Sequence, residues 1–216
     1  RITLPDGMSY RLLVLPPMIL GTVYGNALAA RLNPEISATP GTFGWVLTGL
    51  GTLAMILLAV VISRPASTAP IFVPEGQPDN SVAELAEVII GGQRQTIMIR
   101  GRDADNPVLL YLAGGPGGTD LGAMRADVSL EENFVVATWD QRGTGKSYSA
   151  LDPVETMTLD RMVADTLEVT RYLRERFDEE KIYLVGNSWG TILGVLAVQR
   201  QPELYHAYVG TGQMVS

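Results

Sequence analysis

Apolar residues divide the chain into two unlike parts. From residue 36 to residue 63 there is no charged side chain, and 43–62 is almost continuously apolar. Some twenty helical residues at roughly 1.5 Å rise cover about 30 Å, the depth of a bilayer core. The pattern therefore predicts a transmembrane helix, with Trp45 as an interfacial anchor and Arg64-Pro65 as its end. Residues 12–30 form a second charge-free stretch, interrupted by Pro16-Pro17; it reads either as a second span or as the end of one. Residues 1–63 are thus assigned to one or two membrane segments, with membrane lipid as a partner. Residues 64–80, punctuated by Pro65, Pro70, Pro74 and Pro78, read as an extended, semi-rigid linker. The first residue is Arg1 rather than Met, which reads as a fragment. The apolar region is too long for a secretory signal peptide, and no clear small-residue cleavage site follows it.

From Ser81 onward the pattern changes to short buried strands alternating with helices. Residues 87–90 and 95–100 read as strands around Gly91-Gly92, a hairpin signal. Residues 108–113 and 133–139 are apolar enough for buried strands. Leu159, Met162, Val163, Leu167, Thr170, Leu173 and Phe177 recur at helical spacing and predict an amphipathic helix over 158–177. Its basic Arg171, Arg174 and Arg176 lie toward the C-terminal end, as the helix dipole prefers. A strand over 181–185, a helix over 191–201 and a strand over 207–210 complete the series. Such alternation implies an α/β domain over 81–216, with a mostly parallel sheet covered on both faces.

Composition narrows the chemistry. The chain has 23 acidic and 16 basic residues, a net charge of -7, and so lacks the clustered cations that a nucleic-acid partner demands. Cysteine is absent, which removes disulfides, thiolate metal ligands and a cysteine nucleophile. His206 is the sole histidine, so a His-rich metal site is excluded. No metal and no cofactor is expected.

Three loops at strand exits carry the candidate chemistry. Gly186-Asn187-Ser188-Trp189-Gly190 follows the apolar run 181–185 and opens a helix. A serine on such a strand-to-helix bend has its hydroxyl forced out of the sheet, and the glycines on either side let the backbones approach. The following helix aims free N–H groups and a positive dipole end at the same place. Gly114-Gly115-Pro116-Gly117-Gly118 follows the strand 108–113 and can present backbone N–H groups to a cavity. With the Trp189 N–H, one of these amides would form an oxyanion hole. The third loop, Trp139 to Ser147, ends in Gly145-Lys146-Ser147 like a phosphate-binding loop, but Asp140 stands where that pattern requires its first glycine. Asp140 and Arg142 are better assigned to tying down a turn near the site.

These three motifs, in this order and spacing, resemble the α/β-hydrolase superfamily, and most of all its proline-iminopeptidase-like branch. That branch typically carries H-G-G-P-G, D-Q-R-G-x-G-x-S and G-x-S-W-G. The resemblance covers roughly 81–216. It implies a partial α/β-hydrolase fold and a Ser-His-Asp peptidase acting through an acyl-enzyme at Ser188. It also implies oxyanion donors on Trp189 and on Gly114 or Gly115, with Gly186 and Gly190 as the structural glycines of the bend. Ala113 departs from the family, which commonly has His there. An esterase or lipase-type hydrolase on the same fold, or a non-catalytic, membrane-tethered ligand-binding protein, remains open. Substrates would be small peptides, amides or esters.

A serine needs a base. His206 falls after the helix that follows Ser188, and about eleven helical residues set the two roughly 15 Å apart. The acid and base are therefore expected beyond Ser216. For a protein with two spans, Arg1, Arg11 and Arg64 against Arg31 direct the hydrolase part to the cytoplasm by the positive-inside tendency; with one span the flanks hardly discriminate. The isolated 216-residue chain should be catalytically inactive. A fluorophosphonate probe should label it far more slowly than an intact serine hydrolase, and rapid labelling at Ser188 would contradict this.

Overall fold

Gly91 and Gly92 turn the first hairpin of the sheet. Both have positive φ, 57° and 73°, and Ile90 pairs directly with Gln93, so the loop is the two-residue type whose twist suits a hairpin. The computed structural model describes residues 42–62, 66–151 and 153–214. The chain divides into two compact units, Arg1–Pro65 and Ala66–Ser216.

In the first unit the described element is helix α1, Thr42–Ile62. Its side chains are described from residue 49, and Leu50, Leu53, Ile56, Leu57, Leu58, Val60 and Val61 are exposed. Among the described residues no helix is long and apolar enough to cross a membrane. The span expected over 43–62 is therefore not supported, nor are the membrane localisation and lipid partner that rest on it. The second expected span, 12–30, lies outside the described residues, as do the arginines that oriented it.

The second unit is built on one six-stranded sheet. Its strands are β1 (Val82–Ile90), β2 (Gln93–Gly101), β3 (Val108–Leu112), β4 (Val135–Asp140), β5 (Ile182–Asn187) and β6 (Tyr205–Thr211), in the order β1-β2-β4-β3-β5-β6. Strands β4, β3, β5 and β6 are parallel, as the alternating pattern implies. The edge differs: β1 and β2 form an antiparallel pair, and β2 joins β4 antiparallel. A two-residue loop can only reverse the chain, whereas parallel neighbours need a long crossover. Helices α2 (Leu121–Ala126), α3 (Leu159–Arg176) and α4 (Trp189–Arg200) lie in those crossovers.

Helix α3 starts where Thr158 caps it, accepting the Arg161 N–H on its side chain. It buries Met162, Val163, Leu167, Val169 and Leu173 against Ile97, Leu110, Trp139 and Leu184 of the sheet core. Each large aliphatic side chain buried this way contributes about 1.5–3 kcal/mol.

Two buried ion pairs fix what the apolar core leaves free. Arg100 donates from Nε to Glu131 at 2.6 Å, and from Nη1 to Thr68 Oγ1 at 2.8 Å and the Ala69 carbonyl at 2.6 Å. With Ile71 also buried, residues 68–71 of the Pro-rich stretch are held in place by these contacts. Arg142 is 1% exposed and Asp165 0%, at 2.8 Å. Asp165 also accepts from Arg161 Nε at 2.7 Å and Gln95 Nε2 at 3.1 Å. Arg142 reaches the carbonyls of Ile90, Gly91 and Ala150, so one guanidinium joins the hairpin turn, helix α3 and the end of the loop after β4. Glu168 completes the clamp by accepting the Gly91 N–H at 2.6 Å. Burial pushes the Glu168 pKa up, but the Gly91 N–H and Arg161 outweigh it and hold the carboxyl below its usual range.

Strand β5 passes into α4 through Ser188, whose φ is 50° and ψ -114°. Such a backbone costs a non-glycine residue roughly 1–3 kcal/mol and persists only where its surroundings over-determine it. The surroundings are visible. A Cβ on Gly190 would lie 2.2 Å from the Leu112 carbonyl oxygen, and one on Gly186 would lie 2.6 Å from that of Gly190. The Ser188 N–H is bonded to the Thr211 carbonyl at 2.9 Å. The helix starts at Trp189, two residues earlier than the sequence pattern suggests, because the Ser188 carbonyl already accepts the Thr191 N–H at 2.9 Å.

Asp165→Ala should lower unfolding free energy by about 3–5 kcal/mol, because it strands a buried guanidinium; a loss under about 1 kcal/mol in denaturant titration would refute that accounting. Gly190→Ala should push α4 away from β3 and cost about 1–3 kcal/mol. An unfolding midpoint equal to that of the parent would show that the contact can relax without cost.

Candidate active site

Ser188 lies beyond the carboxyl end of β5, beside the exit of its parallel neighbour β3. This is the edge at which open α/β sheets bind ligands. The structure brings the glycine-rich loop to it: a Cβ built on Gly114 would sit 3.5 Å from Ser188 Cβ and 3.5 Å from the Asn187 carbonyl oxygen. The loop then curls on itself. The same construction on Gly115 meets the backbone nitrogens of Gly117 and Gly118 at 2.6 and 2.7 Å. Gly114 therefore stands against Asn187 and Ser188, with Trp189 opening α4 and Gly115 turning back toward Gly117 and Gly118.

The loop after β4 closes this corner. Asp140 is buried. Its Oδ2 accepts the Lys146 N–H at 2.7 Å, and its Oδ1 accepts from the Thr119 hydroxyl. It thereby joins its own turn to the segment just past the glycine loop. Lys146 uses its backbone, not its side chain, in this arrangement. Arg142 faces the other way, toward Asp165 and the hairpin, as described above. Gln141 stands between them and is 1% exposed. Its Nε2 donates to the Ala113 carbonyl at 3.1 Å, and its Oε1 accepts from Trp189 Nε1 at 3.2 Å.

On the neighbouring side are Tyr111, Asp120 and Asn187. Burial raises the Tyr111 pKa, and the charge and hydrogen bond of Asp120 raise it further, against a lowering by Asn187; the phenol is neutral in the physiological range. Asn187 Oδ1 in turn accepts from the Thr211 hydroxyl at 3.3 Å.

His206 is not part of the site. It is the second residue of β6 and exposed, with its ring 5.1 Å from that of Tyr183 near the start of β5. Ser188 follows the end of that strand, five residues on, about 17 Å away at the usual strand rise. Among the described residues no group of three or more His, Asp or Glu could hold a metal ion.

Gln141, Thr119 and the Tyr111–Asp120 pair do not stand out in the sequence as site residues. Gln141 sits inside the motif Trp139-Asp140-Gln141-Arg142, which signals a structured turn but not which side chain faces Trp189.

Known proteins bear on this geometry. Residues 126–216 match the family described as Serine aminopeptidase, S33. A Bacillus subtilis protein named Probable aminopeptidase YbaC is 42% identical over 137 residues, covering 63% of this chain and 43% of that protein. The Proline iminopeptidase of Lactobacillus crispatus is 33% identical over 99 residues, 45% of this chain and 32% of that protein. The chain thus spans less than half the length of these curated relatives. Among solved structures, a proline iminopeptidase-related protein from Thermus thermophilus superposes with a TM-score of 0.51 at 28% identity, over 60% of this chain and 44% of that one. The mixed sheet with its flanking helices, the family match and these relatives together support placing the second unit of this chain in the α/β-hydrolase superfamily.

Proposed function

We propose that the protein is a serine hydrolase of the aminopeptidase type, with Ser188 as its nucleophile. The observation that carries this reading is the backbone of Ser188 itself. A serine at φ 50° and ψ -114°, pressed between glycines that tolerate no Cβ, is a strained residue kept at the ligand-binding edge of the sheet. Strain of this kind collects at working sites.

In this reading the Ser188 Oγ adds to the carbonyl carbon of a peptide or amide. Its proton passes to a general base, and negative charge develops on the carbonyl oxygen. The backbone N–H of Trp189 and that of Gly114 or Gly115 are the donors suited to that oxygen: Trp189 follows Ser188 directly, Gly114 stands against its side chain, and a preorganised donor stabilises charge that appears only in the transition state. The tetrahedral adduct collapses with loss of the amine, which takes up the proton, leaving an ester on Ser188. Water then adds to that ester and releases the acid. His206 does not serve as that base in this reading, because it stands at the far end of the strands from Ser188. The names of the relatives, aminopeptidase and proline iminopeptidase, support an N-terminal amino acid as the group transferred.

The full-length protein should react with a fluorophosphonate, with the adduct mapped to Ser188 by peptide mass spectrometry. It should also release p-nitroaniline from proline p-nitroanilide, and Ser188→Ala should remove both activities by at least about a thousandfold. A Ser188→Ala protein that still turned over the anilide, or an adduct on another serine, would end the proposal.

A further inference from the structure

We propose that Gln141 is a positioning residue that sets both halves of the oxyanion hole through one side chain. The inference rests on the serine-hydrolase reading of Ser188 and goes beyond it, because it concerns a residue that touches neither nucleophile nor substrate.

Gln141 is 1% exposed, and both ends of its amide are engaged. Nε2 donates to the Ala113 carbonyl at 3.1 Å, and Oε1 accepts the indole N–H of Trp189 at 3.2 Å. Only this orientation of the amide satisfies both partners, since the reverse would set two donors against each other at Trp189 and two acceptors at Ala113.

The consequence follows from peptide geometry. In a trans peptide the carbonyl and the N–H of the next residue point in opposite directions, and the plane resists twisting. Fixing the Ala113 carbonyl therefore fixes the direction of the Gly114 N–H and the path of the chain into Gly115. The other contact holds the side chain of Trp189, whose backbone N–H is the second donor. The loop needs such a tether. Gly114, Gly115, Gly117 and Gly118 have no side chains with which to hold their own conformation. A donor that must search for its orientation loses the advantage of preorganisation. Burial strengthens the tether, because the amide has no competing water.

The test uses the full-length protein and two variants. Gln141→Glu keeps the acceptor toward Trp189 but sets an oxygen against the Ala113 carbonyl. Trp189→Phe leaves the bond to Ala113 and removes only the indole donor. Three quantities are read: kcat and KM for proline p-nitroanilide, affinity for a peptidyl trifluoromethyl ketone that forms the oxyanion on Ser188, and affinity for free proline as a ground-state ligand. Deleting an oxyanion donor costs about 10²–10³ in rate, so misdirecting one should lower kcat at least about tenfold. Gln141→Glu should lower kcat and ketone affinity in proportion, with KM and proline affinity nearly unchanged. Trp189→Phe should show the same pattern to a smaller degree.

A merely structural role would instead move the unfolding midpoint or KM and leave the ratio of ketone to proline affinity alone; that result overturns the proposal. If Gln141→Glu does not fold, an unaltered affinity ratio in Trp189→Phe overturns it equally. A parent protein inert to fluorophosphonate at Ser188 would sink the hydrolase reading and this inference together. A reactive parent with an indifferent Gln141→Glu would sink this inference alone.

Discussion

The close passage of two backbones, at Gly190 and the carbonyl of Leu112, is the constraint on which the rest of the site depends. With 2.2 Å between that oxygen and the place a Cβ would occupy, helix α4 can approach β3 only because residue 190 has no side chain. That approach fixes the start of α4 one residue after Ser188, beside the glycine loop that leaves β3. The positive φ of Ser188 is then a consequence: the chain must reverse from strand to helix within a single residue. Its cost is met by the hydrogen bonds on either side, from the Ser188 N–H to Thr211 and from Thr191 to the Ser188 carbonyl.

Around this bend buried polar groups tie the loops together. Asp140, Gln141 and Arg142 are consecutive and all buried, yet each turns to a different partner. Asp140 closes its own turn and reaches Thr119. Gln141 joins the loop after β3 to Trp189. Arg142 crosses to Asp165 and the β1–β2 hairpin. Three adjacent side chains thereby link the turn after β4 to the glycine loop, helix α4 and helix α3. An unpaired charge in such surroundings would be costly, so each contact also restrains its neighbours.

Much of the architecture is legible in the residues themselves. The helical spacing of Met162, Val163, Leu167 and Leu173 marks α3, and Thr158 marks its start. Gly91-Gly92 between two apolar runs marks the hairpin. The run of residues around Ser188 marks the bend because its glycines, its serine and the flanking strand and helix all agree. Other features are not legible. That β2 alone runs against the other five strands follows from its antiparallel pairing with both β1 and β4, and no local pattern encodes the pairing with β4. The Pro-rich stretch reads as a semi-rigid linker because proline density reports local stiffness, and its contacts at Thr68 and Ala69 depend on Arg100, some thirty residues away, which no local pattern shows. The long apolar run over 43–62 satisfies a membrane criterion by composition, but no described helix meets it.

The sequence by itself determined the order of elements along 81–216 and the glycine-flanked bend at Ser188, because these depend on residue type and on neighbours within a turn or two. Only the tertiary structure decided that Gly114 stands against the Ser188 side chain, a Cβ there falling 3.5 Å from it, and that Gln141 spans Ala113 and Trp189. The reason is geometric. Side-chain periodicity tells which face of an element is buried, but the register between strands far apart in sequence determines which residues meet across the sheet.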